Sequence, residues 1–190
     1  MELKQSGSVQ EFGTGAVRDT DTEKARVDLL SPYAMSRIYY FLQDESDHLL
    51  VRPSIFLLGE KVADYKGVTN RNYCLEEIFV ITARLAEPAE RVANLGPVVT
   101  AAVRRLVKWL ELGALRYAER NWEKGIPVAR CVSSLDRHVL AVIAGETDED
   151  HHAATLCNSM FLLHYHEMIA RGVLAASLDD RLRYEPKEDA

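Results

Sequence analysis

The stretch Ser133–Leu163, SSLDRHVLAVIAGETDEDHHAATLCNSMFLL, decides the fold. Val132, Leu135, Val139, Val142 and Ile143 recur at helical spacing, which predicts a helix from about 129 to 144. Gly145 is the natural stop, because glycine takes the left-handed end conformation without a Cβ clash. Leu156, Met160, Leu163 and Ile169 then predict a second helix from near Thr147 to Arg171, closed by Gly172. Small residues lie around the polar ones on both helices. Ser134, His138, Ala141 and Gly145 form one such stripe, and His151, Ala154, Thr155 and Asn158 form the other. Such faces suggest a cleft between two facing helices.

Between the helices stands GETDEDHH, residues 145–152. Local structure explains part of it. Thr147 can cap the helix with Asp150 as a capping-box partner, and acids in a first turn suit the helix dipole. Capping leaves Glu146 unexplained, and also His151 and His152 at a helix end that disfavours positive charge. Carboxylates and imidazoles gathered at one turn are the donor types of a divalent-metal site; Mg²⁺ or Mn²⁺ suits the oxygen donors. His164, His166 and Glu167 fall on different faces of the second helix and are expected at the surface or an interface.

Further helices are expected on both sides of Pro88. Ser31-Pro32 starts one that ends near Asp44, with proline at its first position. Residues 73–86 suit another, and Pro97 opens a longer one to about Arg120, with Val99, Ala102, Val103, Leu106, Leu110 and Leu115 on its apolar side. Residues 46–72 hold two short apolar runs broken by Pro53, Gly59 and Gly67, which fit strands or helix fragments. Residues 1–22 read as a flexible lead-in without a hairpin signal. The chain thus reads as all-α and one domain, residues 23–184, with a loose tail at 185–190.

Composition narrows the function. The 190 residues are 47% hydrophobic and 27% charged, ordinary for a globular protein with one core. A net charge of −6 argues against general binding to nucleic acid, which needs a basic field. No apolar run is long enough to span a bilayer, and the first residues lack the apolar segment of a signal peptide, so a cytoplasmic location is expected. Cys74, Cys131 and Cys157 form no CxxC pair and are expected to be reduced and buried.

A second chemical signal is RYAERNWEKG, residues 116–125. Arg116, Arg120, Lys124 and the nearby Arg130 surround Trp122. Guanidinium and ammonium groups suit phosphates, and an indole suits a nucleobase. This segment therefore reads either as a nucleotide pocket, with Asn121 or Trp122 near the base, or as a cation-rich helix end whose Trp122 covers the core edge. Lys24 and Arg26 alternate with apolar residues and can face one anionic ligand.

KARVDLLSP (24–32), GALRYAERNWEKGIP (113–127) and the 133–163 stretch together resemble the phage dATP/dGTP diphosphohydrolases, relatives of the all-α MazG-like nucleotide pyrophosphohydrolases. The resemblance implies a MazG-like helical bundle in which residues 46–106 are an insertion. It also implies hydrolysis of dATP or dGTP to the monophosphate and pyrophosphate, divalent metal ions, a homo-oligomer and, for a phage-encoded chain, the host cytoplasm. The chain departs from the MazG-like EExxE and ExxD pattern: SLDRH stands in the cleft helix, and Glu76-Glu77 has no third acid at the needed spacing. Metal ligation is then expected from Glu146, Glu149 and Asp150, with His138 or His151 assisting. His138 joins those three acids as a catalytic candidate. The substrate side is expected to use Lys24, Arg26, Arg120, Asn121, Trp122, Lys124, Arg137 and Asn158. The alternatives are an HD-type phosphohydrolase, disfavoured because Asp150-His151 reverses the required order, and a nucleotide-binding module without turnover.

Overall fold

The computed structural model describes residues 9–11, 13–14, 17–19, 25–44, 55–67, 71–86 and 95–181. Among the described residues the protein is all-α apart from one short antiparallel pair of strands. Its helices are α1 (Pro32–Asp44), α2 (Ile55–Gly67), α3 (Arg71–Leu85), α4 (Leu95–Tyr117), α5 (Val128–Ala144) and α6 (His151–Ala170).

Helix α6 is the axis of the bundle. Leu156, Met160, Leu162, Leu163 and Tyr165 are fully buried, and Ala153, Ala154 and Cys157 nearly so. Apolar residues on every face are what a helix needs when neighbours surround it. Helices α1, α3, α4 and α5 all pack against α6. Helix α2 lies across α3 and α5, with Gly59 facing Ile143 of α5. Helices α2 and α3, within the 46–106 segment, contribute Leu58, Val62, Tyr65, Leu75, Ile78 and Phe79 to the core.

Most helix ends follow from local chemistry. Ser31 caps α1, its Oγ accepting from Ala34 N, and Pro32 occupies the first helical position. The Ser31 hydroxyl also lies 3.0 Å from His164 Nδ1. Gly145 ends α5 at φ 71°, in the left-handed region. Helix α6 begins at His151, later than the expected Thr147, because Asp150 is the residue whose carboxylate accepts from the Ala153 amide. Helix α4 stops at Tyr117, where Ala118 and Arg120 take positive φ of 77° and 51° and turn the chain into a short 3-10 helix, Asn121–Lys124.

Three local expectations are corrected. Val9–Glu11 and Val17–Asp19 pair antiparallel, although each strand is too short for an alternating pattern to show. Leu115 is 87% exposed rather than on the apolar side of α4, since it lies in the last turn beyond the packed part of the helix. His164 is buried, not at the surface, between Trp122 and Ser31, and burial pushes its pKa down. The three cysteines are free and buried, as expected. Among the described residues, no helix is long and apolar enough to cross a membrane.

Candidate functional site

The α5–α6 turn brings two imidazoles together, their planes tilted by 41°. His138, from the last turns of α5, and His151, the first residue of α6, are 5% and 6% exposed. Their Nδ1 atoms lie 3.1 Å apart. His151 Nε2 lies 2.8 Å from Asp148 Oδ1. A carboxylate only accepts, so His151 Nε2 carries a proton, and in the neutral ring Nδ1 presents the lone pair. His138 Nδ1–H then donates to that lone pair. The remaining His138 Nε2 accepts from the Arg137 guanidinium at 3.4 Å. One donor direction therefore runs from Arg137 through both rings to Asp148. The hydrogen bond from His151 holds the Asp148 carboxyl below its usual pKa, and burial lowers that of His138.

Glu149 completes the cluster. Its Oε1 is 3.4 Å from His138 Nδ1 and 3.7 Å from His151 Nδ1. Donor atoms of His138, Glu149 and His151 all lie within 4.8 Å of one another, as do those of Glu146, Asp148 and His151. The two histidines are buried while the acids are exposed, so the rings form the floor and the carboxylates the rim.

Asp150 stands apart from this group. Its Oδ1 caps α6 and its Oδ2 pairs with Arg105 of α4 at 2.5 Å, so both oxygens are already engaged. The other acid pair, Glu76-Glu77, is committed elsewhere: Glu76 pairs with Arg37 at 2.7 Å and Glu77 with Lys61 at 3.2 Å.

A cavity of about 400 Å³ opens along α5. Arg130, Ser133, Ser134, Arg137 and His138 line it from α5, Ala154 and Asn158 from α6. Trp109, Tyr117 and Phe161 supply aromatic walls, with Asn121 beside them. A second cavity, about 180 Å³, shares these aromatic walls and Asn121, and extends to Leu29, Arg120 and Trp122. From Arg130 to His138 the helix rises about 12 Å at 1.5 Å per residue. Arg130, Ser133, Ser134, Arg137 and His138 thus follow one another along the cavity face of α5, with the carboxylates of the α5–α6 turn beyond them. Among the described residues, Arg130 and Arg137 form no ion pair with a carboxylate.

The other expected substrate residues divide. Asn121 and Asn158 line the large cavity; Asn158 Nδ2 donates to Ala154 O while its Oδ1 accepts from the Cys131 thiol. Lys124 lies at the surface, 3.1 Å from Asn121 Oδ1. Trp122 is 7% exposed and stacks on Phe161 at 4.8 Å between centroids; the indole is a core residue with one edge on the smaller cavity. Arg26 and Arg120 are held in pairs away from the imidazoles. Arg26 binds Asp28 and Glu119, and Arg120 binds Glu123 and the Asp28 carbonyl. These bonds raise both guanidinium pKa values. Lys24 lies outside the described residues. Sequence reading missed Trp109, Phe161 and Ser133 as cavity residues. Their only signal was apolar or small character at helical spacing, which packing alone also produces.

Comparison with known proteins agrees with the sequence resemblance. Residues 86–172 match the family model described as dATP/dGTP diphosphohydrolase, N-terminal. The match spans α4, α5 and α6, which supply the cavity walls and the histidine–carboxylate cluster. No curated protein and no solved structure matches the chain.

Proposed function

We propose that this chain, whose residues 86–172 match the dATP/dGTP diphosphohydrolase family, hydrolyses a purine deoxynucleoside triphosphate to the monophosphate and pyrophosphate. The observation that supports this most is one cavity whose walls are aromatic rings and arginines that form no ion pair among the described residues, and which shares His138 with a metal-type donor cluster.

Trp109, Tyr117 and Phe161 offer flat faces for the base, with Asn121 beside them for its polar edge. Arg130 and Arg137 meet the phosphates, assisted by the hydroxyls of Ser133 and Ser134. His138, His151 and Glu149 fit a divalent ion, since three donor atoms already converge from a buried floor and an exposed rim. Such an ion, when bound, offsets phosphate charge and lowers the pKa of water. Glu146, exposed beside Asp148 and His151, accepts the proton of the attacking water. Water oxygen bonds to the α-phosphorus, the α–β bridging bond breaks, and pyrophosphate leaves with the bridging oxygen. Arg137 offsets the charge that develops there. Self-association accompanies this reading, and the exposed Leu112 and Leu115 are apolar surface open to it.

The test is a product assay with the four dNTPs, ATP and GTP, each with Mg²⁺ or Mn²⁺. Monophosphate and pyrophosphate from dGTP or dATP are expected. Tripolyphosphate, orthophosphate alone, or binding without turnover would overturn the assignment.

A further inference from the structure

The donor atoms of the cluster carry a choice of metal that the family match does not make. Mg²⁺ takes oxygen ligands, holds its waters tightly and is seldom bound through imidazole. Imidazole nitrogen favours the later divalent ions, following the Irving–Williams order. Here two nitrogens and one carboxylate oxygen converge: His138 Nδ1, His151 Nδ1 and Glu149 Oε1, at separations of 3.1, 3.4 and 3.7 Å. The rings are fixed by burial, being 5% and 6% exposed, whereas Glu149 stands at the rim and can adjust.

His151 is also oriented from behind. Its Nε2–H donates to Asp148 Oδ1 at 2.8 Å, which leaves Nδ1 as the free donor atom on the side of His138 and Glu149. This is the carboxylate–histidine arrangement that fixes the tautomer of a metal-binding imidazole. His138 reaches the same condition when its proton passes to Nε2 and Arg137 turns back toward Ser134 Oγ, 3.5 Å away.

We propose that His138, His151 and Glu149 form a two-histidine, one-carboxylate site for a transition-metal ion of the Mn²⁺, Co²⁺ or Zn²⁺ class in preference to Mg²⁺, with Asp148 as the positioning residue for His151. The proposal rests on the reading of this cluster as the metal site, and its test does not depend on turnover.

Co²⁺ is the probe, because its visible absorption shifts with nitrogen ligation and strengthens when fewer than six ligands are held. Titration of the full chain is expected to give bands more intense than those of aqueous Co²⁺, with saturation at one equivalent. A hundredfold excess of Mg²⁺ should leave them in place. His151→Asn and His138→Gln should abolish the bands while circular dichroism shows the helices intact. Asp148→Asn should keep the bands but weaken Co²⁺ binding roughly 10- to 100-fold, as loss of an outer-shell partner does. A spectrum like that of aqueous Co²⁺, ready displacement by Mg²⁺, or bands that survive in either well-folded histidine variant would overturn the metal assignment. Unchanged affinity in Asp148→Asn would overturn the positioning role. The bands without any dNTP hydrolysis would leave this site standing and remove the proposed activity; hydrolysis without the bands would do the reverse.

Discussion

Glu149→Gln is expected to lower turnover of a purine dNTP roughly a hundredfold or more, with the fold unchanged. The substitution keeps the shape of the side chain and removes one negative charge from the donor set. Loss of an outer-shell partner alone costs roughly 10- to 100-fold in affinity or activity, and Glu149 is placed among the donors themselves. Stability should change little. The carboxylate is 42% exposed, and the bond between the two imidazoles and the bond from His151 to Asp148 do not pass through it. Steady-state kinetics with circular dichroism and thermal unfolding separates the effects. Turnover within a few-fold of the parent would remove Glu149 from the site. Asp150→Asn provides a contrast, because Asp150 serves the α6 cap and Arg105. Its loss should appear in stability before it appears in chemistry.

Trp122→Ala should produce the largest loss of stability, about 3–5 kcal/mol, as large aromatic truncations in a core do. The indole is 7% exposed, stacks on Phe161 with an interplanar angle of 20°, and meets His164 edge-on at 4.9 Å. Its backbone carbonyl accepts from the Tyr165 hydroxyl at 2.8 Å, a bond that alanine keeps, so the loss reports the side chain. Against a typical total of about 5–15 kcal/mol this is a large fraction. Urea denaturation checks it through the shift in midpoint. A change below about 1 kcal/mol would mean the ring is not part of the core. Nucleotide affinity should also fall, because Phe161 loses its stacking partner at the wall common to both cavities.

The α5–turn–α6 unit was legible because its signals are local. Gly145 takes the left-handed conformation at the end of α5, and Val132, Leu135, Val139 and Val142 lie on one buried face, while Ile143, expected with them, is exposed. The start of α6 was less legible, since Thr147 and Asp150 are both good caps and only the observed Ala153 amide bond chooses between them. Helix α2 was hidden because Gly59 looks like a breaker, yet it lies inside the helix, facing Ile143. In the site, the histidines and Glu149 were visible as chemistry, but their convergence depends on two side chains from different helices meeting across a turn. The basic cluster was harder. Arg26 and Arg120 are drawn into pairs with Asp28, Glu119 and Glu123, and a sequence does not show which cations are already neutralised. Phe161 is far from RYAERNWEKG in sequence, and only the packing of α4 on α6 brings it to the same wall as Trp109.

Attack of water on the α-phosphorus of a purine dNTP is tested by hydrolysis of dGTP and dATP in H₂¹⁸O, with the products resolved by mass spectrometry. One ¹⁸O in the nucleoside monophosphate and none in pyrophosphate is expected. Label in pyrophosphate, or release of labelled orthophosphate or tripolyphosphate without monophosphate, would contradict it.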